Sequence, residues 1–204
     1  MYKYPIIVFE GIEGSGKSFH VKNIEKHLKK KKIKFIKLRE PGGSINSEKI
    51  RRIILNNNSN FHKITDLFLY MASRNENVQN IIKKNYKKKV ILIDRFKDST
   101  LAYQHFGMNI NRKIINNLNK IVLKNIEPNF TFLNIVSMKN LKIRINKRKK
   151  NRYDRFHHNF YKKVQNGYIK LSKNKKKYMI IDSNKNILEN KLKILKKISS
   201  LLSI

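Results

Sequence analysis

Three groups of residues in this chain have the types and spacing that phosphate chemistry needs. The first is Gly11-Ile12-Glu13-Gly14-Ser15-Gly16-Lys17-Ser18. In a Gly-x-x-x-x-Gly-Lys-Ser run the glycines let the backbone turn tightly and aim several N–H groups at phosphate oxygens. Lys17 is then placed to neutralise β- and γ-phosphates, and Ser18 to ligate Mg²⁺. The apolar run Ile6-Ile7-Val8-Phe9 leads into the loop as a buried strand. Beyond it Val21, Ile24 and Leu28 recur at helical spacing, so a helix begins here and points its positive dipole end at the phosphates. Strand, loop and helix in this order predict an ATP-binding P-loop from Gly11 to Ser18, but they leave open what accepts the phosphoryl group.

The other two groups follow other apolar runs. Arg39-Glu40-Pro41-Gly42-Gly43 comes after one, and Asp94-Arg95-Phe96-Lys97-Asp98-Ser99-Thr100-Leu101-Ala102-Tyr103-Gln104 after another. Two guanidinium forks, Arg39 and Arg95, suit a second phosphate clamped in line with the first. Asp94, at the end of a buried strand, stands where P-loop enzymes hold the Mg²⁺ shell.

These residues must be brought together by a scaffold. Apolar, β-branched runs recur at 4–9, 33–38, 90–93, 130–136 and 178–181, separated by segments with helical periodicity at 17–30, 47–55, 65–85, 112–124, 139–147, 155–172 and 187–201. That alternation predicts an α/β fold with a five-stranded parallel sheet flanked by helices. In such a sheet the carboxyl ends of the strands carry the ligands, which delivers all three groups to one crevice. With no repeat and no Pro/Ser linker, residues 1–204 read as one domain.

The chain resembles thymidylate kinase, the enzyme family that phosphorylates dTMP to dTDP. The resemblance rests on Phe9 to Ser18, on Arg39 to Gly43, on Asp94-Arg95 followed by Ser99-Thr100-Leu101-Ala102-Tyr103-Gln104, and on Asp154-Arg155, and it runs from the first strand to the last helix. It implies a P-loop nucleoside monophosphate kinase-like fold, ATP and dTMP as substrates with Mg²⁺ as cofactor, and a homodimer built around the third helix and the one after it. It also implies roles for particular residues. Arg39 and Arg95 would hold the dTMP phosphate, and Glu13 would approach the sugar 3′-hydroxyl. Tyr70 would stack on thymine while Arg74, one turn later, reaches the base edge. Ser99 belongs to the same acceptor motif, and Thr100 and Gln104 would add hydrogen bonds to the pyrimidine. The P-loop has no arginine after Glu13, so the resemblance is to the bacterial type, whose catalytic charge comes from a basic lid. That lid reads as residues 144–156, with Arg148 and Arg152 as candidates for stabilising the transferring phosphoryl group. His157 departs from the pattern, in which many relatives carry an acid.

Composition bounds the remaining possibilities. With no Cys, disulfides and thiolate zinc sites are excluded, and the six His show no ligand spacing on a common face. No stretch is apolar for long enough to form a signal peptide or membrane helix, so a soluble, cytoplasmic protein is expected. Lys and Arg number 48 against 13 Asp and Glu, a formal net charge of +35. Such a balance suits a nucleic-acid partner. It is better read as the mark of a genome whose A/T-rich codons favour Lys, Asn and Ile, which accompany one another along the whole chain, and this reading dispenses with a dedicated nucleic-acid partner. Another nucleotide or nucleoside kinase and a nucleic-acid-dependent ATPase remain alternatives; the Asn-Lys-x-Asp signature of guanine recognition is absent.

Overall fold

The computed structural model describes residues 3–147, 150–173 and 176–204. Five strands, β1 (Ile6–Glu10), β2 (Phe35–Arg39), β3 (Val90–Asp94), β4 (Phe130–Ile135) and β5 (Tyr178–Asp182), form one sheet in the order β2-β3-β1-β4-β5. Every neighbouring pair is parallel. The inner strands are apolar at successive positions because helices cover both faces of the sheet, so both sets of side chains are buried.

One face packs Ile7, Phe9, Leu92 and Phe132 against Val21, Ile24 and Leu28 of α1 (Lys17–Lys30) and Ile194 and Ile198 of α9 (Ile187–Leu202). The opposite face sets Ile6, Val8, Ile91 and Ile93 against Leu67 and Met71 of α3 (Lys63–Asn77) and Ile115 and Val122 of α6 (Arg112–Leu123). Side chains of this size stabilise a fold by roughly 1.5–3 kcal/mol each when fully buried. The ends of the central strands are level. Asp94 pairs with Phe9 on one side and Arg39 on the other, so the residues after β1, β2 and β3 emerge along one edge of the sheet.

The strands and most helices fall where the periodicity predicts them, and α2 (Ile45–Leu55) starts two residues before its expected position. Three segments differ. The single helix expected over 65–85 is α3, then a π-helical stretch (Val78–Ile82), then a last turn, α4 (Lys83–Asn85). The helix expected from 155 is a short 3₁₀ turn (Arg152–Arg155) followed by α8 (His158–Ser172); a capping box between Asn151 and Asp154 closes the turn, and His157 caps α8. Finally, α5 (Lys97–Thr100) and its π-helical continuation (Leu101–Gly107) occupy a stretch for which no helix is expected. The remaining helix, α7 (Met138–Asn146), follows β4.

Candidate active site

A cavity of about 620 Å³ opens along the carboxyl edge of the sheet. Its floor is the P-loop. Gly11 at φ 135° lies so close to β4 that a Cβ there would meet the Asn134 carbonyl oxygen at 2.2 Å, and Gly16 enters α1 at φ 85°. Both positions demand glycine. The loop is strapped from the far side: Ser183 Oγ donates to the Ser15 carbonyl at 2.6 Å, and Arg144 of α7 donates to the carbonyls of Gly14 and Ser183, each at 2.8 Å. Lys17 Nζ lies 2.9 Å from the carbonyl oxygens of both Gly11 and Ile12. Burial, with Arg95 nearby, lowers its pKa to about 8.

Beside the loop, Ser18 Oγ is 3.4 Å from Asp94 Oδ2, while Asp94 Oδ1 is buried with no hydrogen-bond partner among the described residues. A hydroxyl and a carboxylate with a spare oxygen form a hard donor set that fits Mg²⁺, which binds proteins through few ligands and keeps other oxygens from substrate and water.

Arg95 comes next. Its backbone is left-handed, at φ 69°, which turns the side chain back over the P-loop. Nη1 donates to the Gly11 carbonyl and Nη2 to Glu13 Oε1, both at 2.8 Å, and the guanidinium lies 5.2 Å from the centre of the Tyr103 ring. Burial pushes the Glu13 carboxyl up, but Arg95, Lys17 and the Tyr103 hydroxyl outweigh it and hold the group below the ordinary range. A charged Glu13–Arg95 pair therefore persists at neutral pH.

The far wall carries Tyr70, Arg74, Ser99, Thr100, Tyr103 and Gln104. Tyr70 is half-buried, its ring edge-on to Tyr153 with centres 6.1 Å apart. Arg74 is buried and held by Glu40 at 2.7 Å, Asn119 at 2.7 Å and the Phe96 carbonyl at 2.9 Å. Thr100 Oγ1 and Gln104 Nε2 are buried and have no hydrogen-bond partner among the described residues. A polar atom left that way costs about 1–3 kcal/mol, so both are poised for a ligand.

Two expected residues stand away from the cavity. Arg39 is not among the described residues lining the cavity; its half-exposed guanidinium is paired with Glu48 at 3.1 Å. Arg51 of α2 does line the cavity, and it donates to the Pro41 carbonyl at 2.6 Å. Arg152 is likewise not among the lining residues. Its guanidinium is paired with the buried Asp66 and lies against the rings of Phe61 and Tyr153, 5.3 and 5.1 Å from their centres. From the stretch read as a lid, Arg144, Asn151 and Tyr153 instead line the cavity. Arg148 lies outside the described residues. Tyr103 stands within the stretch from Asp94 to Gln104, yet its hydroxyl contact with Glu13 has no sequence signal. Arg51 is equally silent, and Arg144 is marked only as the start of the basic segment 144–156, because each acts across a tertiary contact.

A P-loop at one end of a cavity and an arginine-bearing pocket with unpaired hydrogen-bonding groups at the other define a kinase of the nucleoside monophosphate type. The thymidylate kinase family model matches residues 9–194. The chain is 40% identical over 182 residues to a thymidylate kinase of Thermosipho africanus, covering 89% of this chain and 90% of that one. It is 41% identical over 187 residues to one of Mycoplasma capricolum, covering 89% and 88%. A crystal structure of thymidylate kinase from Ehrlichia chaffeensis superposes with a TM-score of 0.78 at 28% identity, covering 96% of this chain and 98% of that one. The chain belongs to the thymidylate kinase family, whose reaction is the phosphorylation of dTMP to dTDP by ATP.

Proposed function

We propose that this chain carries out that reaction with ATP at the P-loop and dTMP against the Arg95 wall, by in-line attack of a dTMP phosphate oxygen on the γ-phosphorus of ATP. One P–O bond forms as the β,γ-bridging bond breaks, and ADP leaves. The attacking phosphate is already anionic, so the protein needs to position and neutralise rather than to abstract a proton. Lys17 and the loop N–H groups of Gly11 to Ser18 take the β- and γ-phosphates. Arg95 holds the acceptor phosphate, with Arg51 rather than Arg39 as the second fork. Glu13 and Tyr103 face the sugar 3′-hydroxyl. Tyr70 stacks on thymine, and Arg74, Thr100 and Gln104 meet its polar edge. Mg²⁺ arriving with ATP would be held by Ser18 and Asp94 and would neutralise charge on the β- and γ-oxygens. Arg144 supplies positive charge from the lid side.

The observation that carries this reading is the pair of buried, unpartnered atoms, Thr100 Oγ1 and Gln104 Nε2, on the same wall as Arg95. A phosphate-only acceptor would leave them unsatisfied; a pyrimidine would not. The test is Arg95→Ala. It should lower kcat/KM for dTMP by about 100-fold while ATP affinity, read by titration calorimetry, stays within about threefold. A near-normal kcat/KM would reject the role.

The same proposal includes a cytoplasmic setting and a homodimer. Support for the dimer comes from exposed apolar side chains, Phe68 on α3 and Ile114 and Ile121 on α6, two helices that pack on each other. Sedimentation of a single 24.4 kDa species at micromolar concentration would count against it.

A further inference from the structure

Glu10, the last residue of β1, has no part in the mechanism above, yet it is 1% exposed and accepts three hydrogen bonds. Phe96 N donates to Oε1 at 2.8 Å, Ser99 N to Oε1 at 3.3 Å and Ser99 Oγ to Oε2 at 2.6 Å. All three donors lie immediately after Arg95, whose left-handed backbone is unfavourable for a residue with a Cβ and persists only where its surroundings enforce it. The carboxylate grips the chain one residue beyond that turn.

A second path leads from Glu10 to the guanidinium itself. Ser99 Oγ is 2.6 Å from the Tyr168 hydroxyl, and Arg95 Nη1 is 3.3 Å from the same hydroxyl. The two ends of this chain fix its direction. A guanidinium can only donate and a carboxylate can only accept. The Tyr168 oxygen therefore accepts from Arg95, its proton goes to Ser99 Oγ, and the Ser99 proton goes to Glu10.

We infer that Glu10 is a positioning residue for the acceptor phosphate, its carboxylate setting the direction in which Arg95 faces the cavity through the Phe96 amide and through the Ser99–Tyr168 relay. Glu10 touches no substrate; it acts by holding Arg95 where Glu13, Tyr103 and the acceptor meet. This rests on the acceptor phosphate lying at Arg95, and activity of the parent protein on dTMP tests that reading separately.

The experiment compares Glu10→Gln, Tyr168→Phe and the double variant with the parent protein at about pH 8, after circular dichroism has established that each is folded. Glu10→Gln keeps the shape and removes the charge. It should lower kcat/KM for dTMP by about 30-fold, and Tyr168→Phe by about 10-fold, with KM for ATP within about twofold of the parent in both. The double variant should lose little more than Glu10→Gln alone, because both lie on one relay. Additive losses, or equal damage to ATP and dTMP parameters, would show a merely structural role and overturn the inference. If Glu10→Gln fails to fold, Tyr168→Phe and Ser99→Ala carry the test, and kcat/KM for dTMP within about twofold of the parent in both would overturn it.

Discussion

Arg39 and Arg51 illustrate how a guanidinium is allotted to solvent or to a site. Arg39 ends β2 and is held by Glu48 outside the cavity, whereas Arg51 is placed by α2 against Pro41 with its charge turned inward. Arg51→Ala should therefore lower kcat/KM for dTMP by about 10–100-fold and Arg39→Ala by less than about threefold in steady-state assays. The reverse order would mean that Arg39 leaves Glu48 to clamp the acceptor. A second residue-scale consequence follows at Glu10. Burial, followed by the nearby Asp98 carboxylate, raises its pKa to about 7 against the pull of Ser99, Phe96 and Arg95. The folded state thus binds this proton more tightly than the unfolded chain does. Glu10's contribution to stability is full below about pH 4.5 and is lost as pH rises through about 7, a loss of roughly 3 kcal/mol in all. Urea unfolding from about pH 5 to 8 should show the parent losing stability relative to Glu10→Gln by about that amount. Parallel curves would disprove the raised pKa. The ionised carboxylate that steers Arg95 is then a cost that the fold carries for its site.

At the scale of elements, the 3₁₀ turn at Arg152–Arg155 is latched to α3. Arg152 and the Tyr153 hydroxyl share the buried Asp66, and the Tyr153 ring meets both Tyr70 and Tyr103 edge-on. Arg152→Ala would strand that carboxylate. It should cost about 2–3 kcal/mol in urea unfolding, below the full penalty for a deeply buried pair because Arg152 keeps some contact with water. An unchanged stability would mean that the latch contributes nothing. The P-loop and the strands could be read from the chain because their signals are local: glycine spacing, and apolar runs with both faces covered. The helix from Lys97 to Gly107 could not. Its buried positions mix Asp98, Thr100 and Gln104 with Leu101, Ala102 and Tyr103, so no clean apolar stripe marks it, and its π-helical turn breaks the 3.6-residue period. Thr100 and Gln104 are nonetheless legible as acceptor contacts, because their types and order carry the family pattern even where the periodicity fails. Arg51 carries neither signal, and Arg144 is marked only as the first residue of the basic segment 144–156. Their positions depend on how α2 and α7 pack against the loops they serve.

Across the whole molecule, 48 basic residues against 13 acidic ones set up a positive field around a cavity built for two anionic substrates. Such a field speeds the arrival of nucleotides and weakens with salt, whether or not it was selected for that purpose. Specificity cannot come from the field, since it attracts every nucleotide alike. It has to come from the wall that joins Arg95 to Thr100 and Gln104. The most direct test offers dTMP, dUMP, CMP, AMP and thymidine separately as acceptors with MgATP and compares kcat/KM. The account predicts dTDP as the favoured product, with dTMP preferred over every other acceptor by about tenfold or more. Preference for any other acceptor, or ATP hydrolysis that needs no acceptor at all, would contradict it.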